Sequence, residues 1–251
     1  MKAVLKEKIK YSEKDSLYVF ECPEIADAAH AGQFVEVRVK ADVKPFLRRP
    51  ISIFDAADGK LSLLVRTVGE GTRIMEEWTG GEEVDILGPL GNGFSLEEGN
   101  EDVLLVGGGI GAAPMNLLIK TLAAAGKKIH MIFLPKRDQA LMESMADLTA
   151  NIDYVVCENR HGLPAAMDQM TEKADIKMVY CCGPTPLMKT VADYCNAKDI
   201  ESQISLEERM GCGIGLCIGC VVAIKSGDDF EYKKVCQDGP VFSGKEVLFS
   251  E

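Results

Sequence analysis

Three cysteines crowded into nine residues leave this chain few options near its C-terminus. Cys212, Cys217 and Cys220 stand in the run Gly211-Cys-Gly-Ile-Gly-Leu-Cys-Ile-Gly-Cys220, and Cys236 follows after fifteen intervening residues. The spacing C-x4-C-x2-C with a distant fourth thiol is the plant-type ligand pattern of a [2Fe–2S] cluster, in which four thiolates hold two irons. Such a run has to form loops that turn its thiols inward onto one inorganic core. Glycines 211, 213, 215 and 219 stand between or beside the ligands, where the lack of a Cβ lets backbone pack tightly and aim N–H groups at sulfur. A cluster that takes up single electrons makes electron transfer the expected chemistry.

Two other uses of cysteine compete with this reading. Structural zinc favours two separate C-x2-4-C knuckles, whereas here the x4 and x2 spacings overlap and the fourth cysteine stands alone. That pattern favours iron–sulfur over a zinc-stabilised, non-enzymatic scaffold. A disulfide framework belongs to small secreted chains, and this one has 251 residues and nine cysteines, an odd number.

Charge and hydropathy narrow the class further. The net charge is −11, so a polyanionic nucleic acid is not an expected partner. The main basic knot, Lys44, Arg48 and Arg49, suits a small phosphorylated ligand. The N-terminus alternates charged and apolar residues without the apolar core of a signal peptide. The longest uncharged stretch, Val103 to Ile119, carries four glycines and Pro114, and it reads as strand, turn and helix start rather than a membrane span. A soluble, cytoplasmic protein with reduced thiols is expected.

The hydrophobic pattern changes near residue 98. Before it, Ala3–Ile9, Leu17–Cys22, Phe34–Val39, Leu61–Thr67 and Glu83–Leu87 read as short strands punctuated by Asp58-Gly59, Gly69-Glu-Gly71 and Gly80-Gly81, the pattern of an antiparallel barrel or sandwich. After it come the apolar run Val103–Val106, Gly107-Gly-Gly-Ile-Gly111 and a helix from about Pro114 to Ala125. Strands are expected at Ile129–Leu134, Tyr154–Val156 and Met178–Cys181, and helices near Ala140–Leu148, Pro164–Met170 and Thr185–Ala197. Buried strands alternating with helices predict a doubly wound parallel sheet. The last segment holds the cysteines on loops, with a hairpin pairing Val221–Ile224 and Glu231–Val235 round Gly227-Asp228.

Three motifs carry ligand chemistry in these larger regions. Arg49-Pro-Ile-Ser52 offers a guanidinium that forks onto phosphate and a hydroxyl for a ring heteroatom. Gly69-Glu-Gly71-Thr72 allows close approach of backbone to a pyrophosphate and adds a hydroxyl. The turn holding Gly108, Gly109 and Gly111 opens a helix after a buried strand, the geometry that receives a dinucleotide pyrophosphate. Cys182, Gly183 and Pro184 end another parallel strand, the sheet edge where α/β folds bind ligands.

These motifs together resemble the ferredoxin–NADP reductase superfamily. More narrowly the chain is similar to the family of electron-transfer subunits of NAD-dependent (class 1B) dihydroorotate dehydrogenases. The narrower likeness rests on Leu47-Arg-Arg-Pro-Ile-Ser-Ile53, Val68-Gly-Glu-Gly-Thr72, Gly88-Pro-Leu-Gly-Asn-Gly-Phe94, Ser205-Leu-Glu-Glu-Arg-Met-Gly-Cys212 and Val235-Cys-Gln-Asp-Gly-Pro-Val-Phe242, and it extends over essentially the whole chain. The resemblance implies an FAD-binding β-barrel over 1–98, an NAD-binding α/β domain over 99–204 and a [2Fe–2S] subdomain over 205–251. It implies FAD against Arg49, Pro50, Ile51, Ser52, Leu64, Val65 and Arg66, with its pyrophosphate at Gly71 and Thr72, and the cluster on Cys212, Cys217, Cys220 and Cys236.

It also implies a partner, an FMN-containing dihydroorotate dehydrogenase catalytic subunit, in a heterotetramer of two of each that serves pyrimidine synthesis. NADH carries two electrons as hydride and the cluster accepts one, so a flavin must stand between them. No general acid or nucleophile is required, and no residue is expected to act as a catalytic base. The segment Cys157-Glu-Asn-Arg-His-Gly162 departs from the Thr-Asp-Asp-Gly-like run of the family, so Glu158 and His161 receive no role. Lys136 and Arg137 have the charge to meet a 2′-phosphate, but two basic residues in a loop are ordinarily just solvated, so NAD against NADP stays open. A small subunit of an NADH-dependent ferredoxin:NADP oxidoreductase, or a sulfhydrogenase diaphorase subunit, shares the same carriers and stays as the alternative.

Overall fold

Alternation of apolar and polar side chains sets the first sheet. In β1 (Lys2–Lys10) Ala3 and Leu5 are fully buried while their neighbours face outward, the period of two that a half-buried strand requires. In the computed structural model, which describes residues 1–42, 44–96, 99, 101–134 and 152–249, seven antiparallel strands follow the order β4-β3-β7-β1-β2-β6-β5. The others are β2 (Asp15–Glu21), β3 (Phe34–Arg38), β4 (Arg49–Ser52), β5 (Asp55–Ala57), β6 (Lys60–Arg66) and β7 (Glu83–Leu90). The sheet curls until β4 approaches β6, giving the curved wall of a barrel. A short helix, α1 (Pro23–Ala26), packs against β6 and β5.

The expected turn at Gly69–Gly71 proves to be the start of a helix, α2 (Glu70–Glu76). The signal missed in the sequence is Thr72. Its hydroxyl accepts from the N–H groups of Val68 (2.9 Å) and Gly69 (3.1 Å) and donates to the Gly69 carbonyl, satisfying groups that a helix start otherwise leaves open. Two glycines hid a capped helix.

The second sheet has the order β10-β9-β8-β11-β12-β15. Its first five strands are parallel: β8 (Asp102–Gly108), β9 (Lys128–Leu134), β10 (Asp153–Val156), β11 (Met178–Cys182) and β12 (Glu201–Ser205). Val103 to Val106 of β8 are buried on both faces, as a central parallel strand demands. The 3-10 turn Gly109–Ala112 leads into α3 (Met115–Ala124), with Pro114 just before the helix. Helices α4 (Leu163–Lys173) and α5 (Thr185–Lys198) cover the sheet. Asn159 Oδ1 accepts from His161 and Gly162 N–H and holds the turn before α4, so the Cys157–Gly162 segment has a local structural role. The helix expected near Ala140–Leu148, and Lys136 and Arg137, lie outside the described residues.

Two strands of this second sheet went unread in the sequence. β12 was missed because Glu201-Ser-Gln-Ile-Ser205 lacks a strong apolar pattern, and β15 (Val241–Ser243) pairs antiparallel with it. The C-terminal segment therefore shares a sheet with the parallel strands. Its hairpin, β13 (Val221–Ser226) with β14 (Asp229–Lys234), turns at Gly227-Asp228 as expected. Among the described residues no helix is long and apolar enough to cross a membrane.

The halves meet through α3, whose buried Asn116 donates to the Phe54 carbonyl at 3.1 Å and whose Lys120 pairs with Asp55. At the opposite end Gln203 brackets Ser95 through its side-chain oxygen and nitrogen (2.8–2.9 Å). Within the barrel, the strand partners Asp15 and Arg66 form a two-pronged ion pair at 2.7 and 2.8 Å. Burial pushes the Asp15 carboxyl up, but hydrogen bonds from Arg66 and Ser12 and the charges of Arg66 and Lys14 bring it below its ordinary value. A carboxyl lowered in the folded state stabilises above its unfolded pKa and loses that contribution as pH falls through the folded one. Asp15→Asn is therefore expected to cost about 1.5–3 kcal/mol at pH 7 in urea unfolding, with the difference from wild type shrinking as pH drops below about 4.

Candidate functional site

The strand order of the parallel sheet dictates where a ligand fits. From β8 the chain moves outward to β9 and β10, then crosses back to place β11 on the other side of β8. A crevice opens between the carboxyl ends of strands at such a switch point. Gly108 ends β8 and Cys182 ends β11, so both glycine motifs stand at that crevice. They also touch: a Cβ on Gly111 would lie 2.6 Å from Gly183 Cα, and one on Gly108 would lie 2.8 Å from Leu187 Cδ1. The two backbones approach this closely only because neither motif carries side chains there.

The barrel supplies the facing wall. A cleft of about 770 Å³ is lined by Arg49, Pro50, Ile51 and Ser52 of β4, by Leu64, Val65 and Arg66 of β6, and by Thr72 of α2. From the other half come Ile110, Gly111, Cys182 and Gly183. The volume falls in the usual range of small-molecule sites, about 300–1,000 Å³. Gly71 lies under the Arg49 side chain, where a Cβ would come within 2.1 Å of Nε. Gly109 and Pro184 support the turns without lining the cleft. Thr72 lines it, yet its hydroxyl is already committed to the start of α2. Burial pushes the Cys182 thiol up to about 12, against a hydrogen bond from Ser205, so it is a neutral wall residue rather than a nucleophile.

One wall was not assigned in the sequence. Ser205 to Met210, the strap from β12 to the cysteine loop, closes the cleft with Glu207, Glu208 and Arg209. Phe34 of β3 lines it as well. The strap motif was visible as a string of residues, but nothing in one sequence says which side of a cleft a loop will close.

Cys217 lies beside Cys212, and Cys236 lies near both Cys220 and Cys212. Among the described residues no three metal-binding side chains close on one point. Four thiols in this C-x4-C-x2-C spacing suit a two-iron cluster better than the paired knuckles of a structural zinc site. The backbone is built for sulfur: Gly215 N–H lies 3.2 Å from Cys236 Sγ and Cys217 N–H lies 3.4 Å from Cys212 Sγ. Gly213 and Gly215 adopt φ of 70° and 79°, where a side chain is strained. The Cys217 N–H, aided by those of Ile214 and Leu216 and by the Cys217 thiol, pulls Cys212 down to about 6 against burial. Burial, with Cys220 alongside, pushes Cys236 up to about 12. Cys22, Cys157, Cys181 and Cys195 are all buried elsewhere.

The family of iron–sulfur cluster binding domains of dihydroorotate dehydrogenase B matches residues 207–248, and the oxidoreductase FAD-binding domain family matches residues 2–94. The electron transfer subunit of dihydroorotate dehydrogenase B (NAD(+)) from Caldanaerobacter subterraneus subsp. tengcongensis is 37% identical over 88% of this chain and 87% of its own. That of Shouchella clausii is 37% identical over 92% of this chain and 91% of its own. The chain belongs to this family of electron-transfer subunits. It carries an FAD-binding domain and an iron–sulfur cluster-binding domain. Its fold is also similar to a solved NADH-dependent reduced ferredoxin-NADP oxidoreductase structure, with a TM-score of 0.86 at 27% identity over 98% of this chain and 89% of that one. Phthalate dioxygenase reductase shares the fold alone, at a TM-score of 0.63 and 18% identity over 94% of each chain.

The cysteine segment is tied to the barrel at Asn92, whose Nδ2 donates to the Gln237 and Asp238 carbonyls at 3.1 Å each and whose backbone exchanges bonds with Gly239 and Val241. Asn92→Ala is expected to cost about 1–2 kcal/mol and to speed iron release on mild urea treatment while FAD content stays at the wild-type level.

Proposed function

We propose that this chain is the electron-transfer subunit of an NAD-dependent dihydroorotate dehydrogenase, linking an FMN-containing catalytic partner to NAD⁺ in pyrimidine biosynthesis. The observation that carries the reading is a shared wall. Phe34 of β3 lines the cleft, and two residues along the same strand Glu36 lies against Gly213 in the cysteine loop. Flavin cleft and cluster loop are thus neighbours across one strand. When bound, FAD exchanges hydride with a pyridine nucleotide and single electrons with an iron–sulfur cluster.

In this reading residues 1–98 bind FAD, 99–204 bind NAD and 205–251 bind the cluster. Arg49, Pro50, Ile51 and Ser52 hold the flavin with Leu64, Val65 and Arg66, and Gly71 with Thr72 flanks its pyrophosphate. Gly108, Gly109 and Gly111 receive the dinucleotide opposite Cys182, Gly183 and Pro184. Cys212, Cys217, Cys220 and Cys236 ligate the cluster. None of these residues has to transfer a proton. The partner's docking face is the apolar surface over the cluster loop, where Leu216 and Ile218 are 82% and 78% exposed, and the assembly is a heterotetramer with two copies of each subunit. A location in the cytoplasm keeps the thiols reduced for assembly.

One observation favours a second reading, the similarity to the NADH-dependent ferredoxin-NADP oxidoreductase structure. Co-purification with a flavoprotein partner, followed by a dihydroorotate-dependent NAD⁺ reduction assay, separates the two. Activity restricted to ferredoxin and NADP would move the chain to the second.

Two substitutions test the site. Cys217→Ser is expected to remove iron and sulfide while FAD and the far-ultraviolet spectrum persist; normal iron content would refute the ligand set. Arg49→Ala is expected to weaken FAD binding by about 1.5–3 kcal/mol, the worth of a charge-assisted hydrogen bond, as read by flavin fluorescence on dilution.

A further inference from the structure

Glu36 is a residue that packing alone does not explain. It is 2% exposed in the middle of β3, and both its carboxylate oxygens are buried without a hydrogen-bond partner among the described residues. An uncompensated buried carboxylate is costly, so a position in a strand interior favours an apolar side chain unless the charge is used. The nearby arginines are engaged elsewhere. Arg48 binds Asp85 and the backbone carbonyls of Asp85 and Glu36, and Arg49 turns to the carbonyls of Leu47 and Arg48.

The surroundings show what the carboxylate faces. Glu36 is the cross-strand partner of Pro50, which lines the cleft. On its other side a Cβ on Gly213 would meet Glu36 Cγ at 2.6 Å and Oε1 at 2.7 Å. The cysteine loop therefore rests on the Glu36 side chain at a glycine with φ of 70°. One buried acid sits between the flavin cleft and the loop that holds the thiols.

We infer that Glu36 is a positioning residue for the electron relay: its side chain seats the cysteine loop at Gly213, and its negative charge sets the field in which the cluster accepts an electron. The inference rests on the cluster reading above. Cluster potentials follow local charge and hydrogen bonding, and a buried anion nearby disfavours an added electron through a medium of low dielectric. Burial pushes the carboxyl up to about 7, the Cys212 sulfur adds to the rise, and Arg48 and Arg49 pull against it, so the test is run on the alkaline side.

The test compares wild type, Glu36→Gln and Glu36→Asp as full-length chains purified anaerobically with any bound partner. Iron, sulfide and FAD are quantified first, and the cluster is then titrated reductively at pH 8.5 and followed by its paramagnetic signal. A wild-type chain without iron would sink the cluster reading itself and is recognised at this first step. The expected result is wild-type iron and FAD content in Glu36→Gln. Its cluster should be easier to reduce by on the order of tenfold in the equilibrium constant, about 59 mV for one electron. Glu36→Asp, which keeps the charge but draws it back from Gly213 by one methylene, should shift the midpoint less than Glu36→Gln does. An unchanged midpoint in Glu36→Gln overturns the inference, as does an equal shift in Glu36→Asp. Loss of iron from Glu36→Gln also overturns it, because an amide of the same shape fills the same seat.

Discussion

The position of the four thiols depends on the return of the chain to the parallel sheet at β15. Without the pairing of Val241–Ser243 against Gln203–Ser205, the segment after residue 205 would be a loop and a hairpin with a thin core of its own. Small segments of this kind rarely bury enough apolar surface to fold unaided. Here Cys220, Val235, Cys236 and Phe242 join Leu104, Val179 and Ile204 in one apolar cluster. The loop then inherits the rigidity of the sheet. Asn92 fixes the same segment to the barrel, so it is anchored on two sides and its geometry does not rest on the cofactor alone.

That arrangement explains how much of the fold could be read directly. The two sheet types were legible because the hydrophobic period changes at one place, from alternation in β1 to the continuous run in β8. The cysteine loop was legible because its spacing admits few chemistries. What escaped were features decided by distant contacts. β12 is a strand because β11 and β15 lie on either side of it, although its own residues are largely polar. α2 was hidden behind two glycines, since its start is stabilised by the Thr72 hydroxyl rather than by a strong helical pattern. The extent of β7, through Leu90, likewise follows from pairing with β3.

The candidate site shows the same division. The motifs at Arg49–Ser52, Gly107–Gly111 and Cys182–Pro184 stand out because each asks for an unusual backbone or a particular ion. Their convergence on one cleft is a property of topology, set by the switch between β8 and β11. Glu36 gave no sequence signal. A single acid within Phe-Val-Glu-Val-Arg reads as the outward position of an alternating strand, and only the arrival of Gly213 from another part of the chain makes it an interior residue.

The bare aliphatic side chains on the cysteine loop bear on how the chain behaves in isolation. Leu216 and Ile218, on either side of Cys217, stand almost fully in water, and exposed apolar surface of this kind invites self-association. The surplus of acidic groups elsewhere, summing to −11, opposes it by mutual repulsion. Solubility of the lone subunit is therefore an ionic-strength question: screening the acidic surface removes the repulsion and leaves the greasy tip free to stick to its own kind.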